Sequence, residues 1–274
     1  EALGYDLWQL VQTGPVEKLN QTNFTQPALL TASVAIWRLW HASATASPKM
    51  LAGHSLGEYS ALVCAGVLSL ADAVKLVEKR GEFMQASVPE GVGAMAAVIG
   101  LEDDIIITAC EEAANNEVVS AVNFNSPGQV VIAGHKEAVE RAGILCKEAG
   151  AKRVLPLPVS VPSHCALMQG AADKLAEEFN NVTFNVPNIP VVNNVDVKAE
   201  SSVDAIKTAL IKQLYSPVRW TETIQYLAQQ GIDTAIEAGP GKVLQGLLKR
   251  IDKTISCQSV NDNISLTKAL ESVE

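Results

Sequence analysis

Met50-Leu51-Ala52-Gly53-His54-Ser55-Leu56-Gly57-Glu58-Tyr59-Ser60-Ala61-Leu62 decides how this chain reads. Its centre, Gly53 to Gly57, has the form G-x-S-x-G, between the apolar run Met50 to Ala52 and a helix-like stretch from Glu58 to Ala65. That order pushes a serine hydroxyl out of a sharp strand-to-helix turn. The glycines allow the close approach of neighbouring chain, and the serine takes a strained backbone conformation. The helix beyond it contributes free N–H groups and a positive dipole end. An oxyanion formed by attack at a carbonyl is stabilised there, with Leu56 N–H as the first donor.

Outward from this turn, 274 residues suffice for one large α/β domain or two smaller ones. Hydrophobic residues make up 48% and no apolar run reaches bilayer-spanning length, so the expectation is a soluble chain without a targeting leader or membrane association. Cys64, Cys110, Cys146, Cys165 and Cys257 form no C-x-x-C pair. Their odd number speaks against a disulfide framework or a zinc site and for a reducing cytoplasm. A net charge of −9 disfavours nucleic acid as a partner. Glu1 in place of a start methionine leads to the expectation that the true N-terminus lies upstream.

Thr25-Gln26-Pro27 opens a predicted helix whose apolar face carries Leu29, Leu30, Ile36, Trp37 and Trp40. Ser69-Leu70-Ala71-Asp72 is a capping signature for a helix running to about Gln85. From Gly93 the pattern reads strand 94–99, helix 102–114, strand 118–124, strand 129–133, helix 136–149 and strand 152–157. This β-α-β-β-α-β order predicts a ferredoxin-like insert, turned in its middle by Asn125-Ser126-Pro127-Gly128. Beyond Pro162 the chain alternates again: helix 166–179, strand 189–193, helices 203–214 and 218–229, strand 232–237, and helix 242–251. The expected fold class is therefore α/β. An α/β-hydrolase-like large domain with a parallel sheet, residues 1–91 and 158–274, is interrupted by a ferredoxin-like small subdomain over 92–157.

A serine hydroxyl needs a general base within hydrogen-bond reach. Of four histidines, His41 and His135 read as surface residues, and His54 adjoins the serine in a turn where neighbours point apart. That leaves His164, in Val161-Pro162-Ser163-His164, where the chain leaves the insert. On position alone His164 is equally a capping or core histidine; elimination favours catalysis. No acid stands out between Ser55 and His164, so a Ser-His dyad with a backbone carbonyl orienting the imidazole is the simpler proposal. Arg80 falls on the apolar stripe of Ala73, Val74, Val77 and Met84. A guanidinium there must meet a carboxylate, supplied either by the protein or by a substrate whose acyl group carries its own. Gly239-Pro240-Gly241-Lys242-Val243 contains Gly-Lys but lacks the spacing and hydroxyl residue of a nucleotide-binding loop.

Four stretches in order resemble the bacterial malonyl-CoA:acyl carrier protein transacylase family: Gly53 to Leu62, Asn123 to Gly134, Val161 to Met168, and Glu237 to Gly241. The resemblance implies a monomeric enzyme of fatty acid synthesis, without cofactor or metal. It implies ping-pong transfer of malonyl from malonyl-CoA, through Ser55 with His164 as base, to the phosphopantetheine thiol of acyl carrier protein. It further implies that Arg80 binds the malonyl carboxylate and that the backbone carbonyl of Gln213 orients His164. Family members also carry an N-terminal strand and a Gly-Gln-rich loop with a second oxyanion donor, which nothing in residues 1–30 matches. An acidic carrier protein directs attention to Lys152, Arg153, Lys249 and Arg250. The competing readings are a serine thioesterase or esterase, which gives the acyl group to water, and a non-catalytic carrier-protein docking module.

Overall fold

The computed structural model describes residues 1–159 and 161–274. Two short helices, α1 (Leu7–Thr13) and α2 (Val16–Leu19), precede the long α3 (Thr22–Ser43). α3 begins before Thr25, so Pro27 lies inside the helix and not at its opening, where it removes one backbone hydrogen bond. Leu30 and Val34 of α3 are buried, whereas Leu29 is 40% exposed. The strand β1 (Leu51–Ala52) leads through the Gly53 to Ser55 turn into α4 (Leu56–Cys64), followed by α5 (Leu70–Ala86). Ser69 caps α5, accepting Asp72 N–H at 3.0 Å.

The insert follows the predicted order: β2 (Gly93–Ile99), α6 (Asp103–Ala113), β3 (Val119–Ser126), β4 (Gln129–His135), α7 (Lys136–Glu148) and β5 (Arg153–Pro156). Its strands lie in the order β3-β4-β2-β5, all neighbours antiparallel, which is the ferredoxin-like arrangement. One buried cluster, including Val98, Ile106, Ile132, Ala138 and Cys146, belongs entirely to this segment. The helices and one face of the sheet thus bury one another, while the other face, with Met95, Val122, Val131 and Ala133, packs against Cys165 and Leu167.

The remainder comprises α8 (Gln169–Glu178), β6 (Val191–Val192), α9 (Val203–Gln213), α10 (Trp220–Gln229), β7 (Thr234–Ala238), α11 (Val243–Ile251), β8 (Ser256–Val260) and α12 (Asn263–Glu271). The parallel strands form two pairs, β1 with β6 and β7 with β8, not one continuous sheet. A cavity of about 610 Å³ separates them, lined by Leu51 and Ala52 on one side and Ile236 and Glu237 on the other. A second core built on Leu30, Tyr59, Leu62, Val77, Leu175 and Leu210 packs α3, α4, α5, α8 and α9 together. α10 starts at Trp220 because Val218 pairs with β3: its N–H reaches Val122 O at 2.8 Å and its carbonyl accepts Phe124 N–H at 3.0 Å. That pairing ties the insert to the larger unit beside the Ser55 turn.

Candidate active site

The turn between β1 and α4 is as tight as the glycine pattern requires. A Cβ on Gly53 would lie 2.0 Å from the carbonyl oxygen of Gly57. Ser55 occupies φ 52°, ψ −109°, a conformation that side-chain-bearing residues rarely adopt. Leu56 begins α4, and its N–H has no partner among the described residues, as expected of the first helical position.

His164 is buried and also sits in the left-handed region, with φ 65°. Two contacts to the end of α9 fix it: its N–H reaches Leu214 O at 2.9 Å, and Nδ1 lies 2.7 Å from Gln213 O. A carbonyl only accepts, so Nδ1 carries the proton and Nε2 is left as the acceptor. Nε2 lies 2.7 Å from Ser55 Oγ. Burial first, and then the Arg80 charge, hold the imidazole pKa down to about 3, so the ring is neutral and able to take a proton. No carboxylate contacts it. The structure thus brings His164 between Ser55 Oγ and the Gln213 carbonyl, the latter named beforehand only through the family resemblance.

Arg80, on α5, is 2% exposed and reaches the same place. Its Nη1 donates to Gln26 Oε1 at 2.6 Å, and its Nη2 donates to Ser55 Oγ at 3.1 Å and Gln213 Oε1 at 3.0 Å. Tyr59 lies under the guanidinium at 5.4 Å. All bonded partners are neutral, Nε has none, and the ion pairs among the described residues involve other side chains. Gly81 brings α5 this close to α3, since a Cβ there would stand 2.5 Å from Asn23 Cα. That contact brings Gln26 within reach of Arg80.

Three residues that sequence reasoning did not single out complete the site: Gln26, Glu58 and Asn194. Glu58 is buried, and desolvation raises its carboxyl to about 7 against the opposing pull of Gln213, Asn194 and Arg80. Its place next to the pentapeptide was visible, but its burial was not, because an acid in a helix's first turn ordinarily serves the dipole in water. Nothing in the pattern around Asn194 marks it.

The other histidines lie elsewhere. His41 is exposed and stacks on Trp37 at 4.9 Å. His135 is half-buried at the end of β4, where Nδ1 accepts Val118 N–H at 2.9 Å, so it does structural work beyond the surface role expected. His54 points away from Ser55's partners, with Nε2 2.8 Å from Asn125 Oδ1. The Gly-Pro-Gly segment ahead of α11 is also explained. Glu237 accepts Leu244 N–H at 3.0 Å and Gln245 N–H at 2.8 Å, so a carboxylate of the chain itself occupies that helix N-terminus.

All five cysteines are free, no cluster of metal-ligating side chains occurs among the described residues, and no helix there is long and apolar enough to cross a membrane. A half-buried serine joined in this way to a buried imidazole and guanidinium can form and resolve an ester on a substrate carrying a negative charge.

Residues 1–266 match the family model described as acyl transferase domain. The malonyl CoA-acyl carrier protein transacylase of Escherichia coli strain K12 is 66% identical over 98% of this chain and 87% of that protein. The crystal structure of an acyl carrier protein S-malonyltransferase from Vibrio cholerae superposes with a TM-score of 0.95 at 66% identity, covering 97% of this chain and 87% of that one. A malonyl-transacylase solved in complex with its type II polyketide synthase acyl-carrier protein superposes with a TM-score of 0.97 at 62% identity, covering 99% and 88%.

Proposed function

The chain belongs to the acyl transferase domain family and transfers malonyl groups from malonyl-CoA to acyl carrier protein in fatty acid synthesis; from that premise we propose a ping-pong route through a malonyl ester on Ser55. Ser55 Oγ gives its proton to His164 Nε2 and attacks the thioester carbonyl carbon, and the resulting oxyanion is met by Leu56 N–H. Collapse breaks the carbon–sulfur bond, and the departing thiolate takes the proton back from His164 as CoA. The phosphopantetheine thiol of the carrier protein then loses its proton to His164 and attacks the ester. Ser55 Oγ leaves and is reprotonated. Gln213 O holds the imidazole in the tautomer these steps need.

The single observation that carries the reading is Ser55 Oγ lying between His164 Nε2 at 2.7 Å and Arg80 Nη2 at 3.1 Å. A nucleophile and its base serve any esterase, but a buried cation with only neutral bonded partners beside them suits an acyl group ending in a carboxylate. Arg80 reads the acyl group and not the acceptor, so water as acceptor, the thioesterase alternative, is separated by where the acyl group goes. Radiolabelled malonyl-CoA added to enzyme alone should leave label on Ser55, recoverable on a serine-containing peptide, and addition of holo-acyl carrier protein should move it to the carrier thiol. Release of free malonate at the rate of carrier loading would sink the transferase route.

The ordinary histidine pKa lies near 6.5. With His164 held down to about 3, the base stays neutral as pH falls, so kcat/KM for malonyl-CoA should stay level through pH 6 to 5. An unshifted base would lose about tenfold for each pH unit below its pKa. A pH–rate profile halving near 6.5 would show that burial and Arg80 do not depress the imidazole of the base.

We also take residues 92–157 as a distinct subdomain covering the site, on the grounds of its separate core and sheet. The exposed Lys152, Arg153, Lys249 and Arg250 are the basic positions offered to the acidic carrier. No cofactor enters the steps above. A cytoplasmic, monomeric enzyme is in keeping with five free thiols and a dyad drawn from a single chain.

A further inference from the structure

The strained backbone at Ser55 needs a restraint, because a residue in such a conformation persists only where its surroundings over-determine it. The restraint is a second layer of polar side chains that touches no reacting atom. Asn194 is fully buried just beyond β6, and its carboxamide spans the elbow on either side of His54, up to the backbone N–H of the nucleophile. Oδ1 accepts Ser55 N–H at 2.7 Å, and Nδ2 donates to Gly53 O at 2.7 Å. One oxygen of Glu58 in turn accepts Asn194 N–H at 3.0 Å and Gln213 Nε2–H at 2.8 Å. Gln213 Nε2 also donates to Ser55 O at 3.1 Å, while the Gln213 backbone carbonyl accepts the hydrogen bond from His164 Nδ1–H. The buried carboxylate therefore ties together the two segments that bear the nucleophile's clamp and the base's anchor.

We propose that Asn194 and Glu58 are positioning residues for acyl transfer: Asn194 fixes the backbone of Ser55, and Glu58 keeps that clamp in register with Gln213, so that Ser55 Oγ and His164 Nε2 stay at bonding distance. The inference rests on the Ser55–His164 reading given above. Its elements come from three places in the chain: residues 53–58, 194 and 213. Displacing a reacting group by about 1 Å costs on the order of 100-fold in rate, which sets the expected size of the effect.

The test separates this role from ordinary stabilisation and from malonyl recognition. An organofluorophosphate reacts with a serine activated by its base: Oγ attacks phosphorus, fluoride leaves, and the proton passes to the imidazole. The probe carries no carboxylate for Arg80 to bind. In folded Asn194→Ala and Glu58→Ala enzyme, labelling of Ser55 and kcat for malonyl transfer should both fall about 100-fold, with KM for malonyl-CoA within about threefold of wild type. Glu58→Gln, which keeps the acceptor oxygen, should recover at least about a tenth of the wild-type labelling rate. Should the alanine variants melt below the assay temperature, Asn194→Ser gives the reading, since its hydroxyl cannot span Ser55 N–H and Gly53 O together. Folded Glu58→Ala or Asn194→Ser enzyme that labels Ser55 at the wild-type rate would overturn the proposal. Loss of labelling in wild-type enzyme and every variant would point instead to failure of the Ser55–His164 reading itself.

Discussion

Ser55→Ala should lose transfer of malonyl from malonyl-CoA to acyl carrier protein by about 10,000-fold or more, and His164→Ala by a comparable factor. The serine replacement removes the atom that carries the acyl group. The histidine replacement leaves that atom with no proton acceptor at 2.7 Å, and a serine hydroxyl without a base is a poor nucleophile at neutral pH. The double variant should be no slower than the slower single variant, because the pair acts as a unit and neither half works alone. Mass spectrometry of the carrier protein, alongside thermal melts, reads the result. An alanine variant at His164 that retains a tenth of the wild-type rate would show that another group takes the proton, and His54 would be first in line to test.

The second expectation concerns which acyl group is taken. Arg80→Ala should lower kcat/KM for malonyl-CoA by about 30- to 3,000-fold, the size expected when one partner of a buried, hydrogen-bonded charge pair is deleted. Transfer of acetyl, which carries no carboxylate, should be spared or improved. Among the described residues Arg80 bonds no carboxylate; Glu58 is reached through the Gln213 amide, which accepts from Arg80 and donates to Glu58. Binding malonyl brings the missing negative charge to a cation that is already desolvated. Arg80→Lys keeps the charge but not the planar fork that reaches Gln26, Ser55 and Gln213 together, so it should restore only part of the rate. The decisive quantity is the malonyl-to-acetyl ratio of kcat/KM. Equal losses for both substrates would make Arg80 a brace for Ser55 and Gln213 and not a selector.

Both expectations are legible in outline in the sequence, for reasons that differ by residue. Ser55 is marked by local sterics, since only glycine at position 53 lets α4 come so close, and a pentapeptide records that requirement. His164 was reached by counting histidines and asking which could stand near a cleft. Arg80 followed from helical periodicity alone, which puts a charged residue on an apolar stripe. The β-α-β-β-α-β segment was legible because each of its elements has a full period of alternating or helical pattern and its core is its own. The last strand and helix, β8 and α12, were missed: Ser256 to Val260 is short and mixed in polarity, and its strand character comes from pairing with β7. The opening of α3 was misplaced because the proline signal for a helix start lost to packing of residues 22–23 against Gly81.

The sequence by itself determined the α/β class and singled out Ser55, His164 and Arg80 as the candidates for nucleophile, base and selecting cation, because each leaves a trace in spacing, glycine placement or periodicity. Only the tertiary structure decided that Gln26, Glu58 and Asn194 belong to the same site, and that the parallel strands stand as two pairs. These are facts about which buried polar groups satisfy one another across more than a hundred residues of chain, as Asn194 and Ser55 do. Hydrogen-bond satisfaction in a desolvated interior depends on where the backbone finally lies, and no local pattern encodes that.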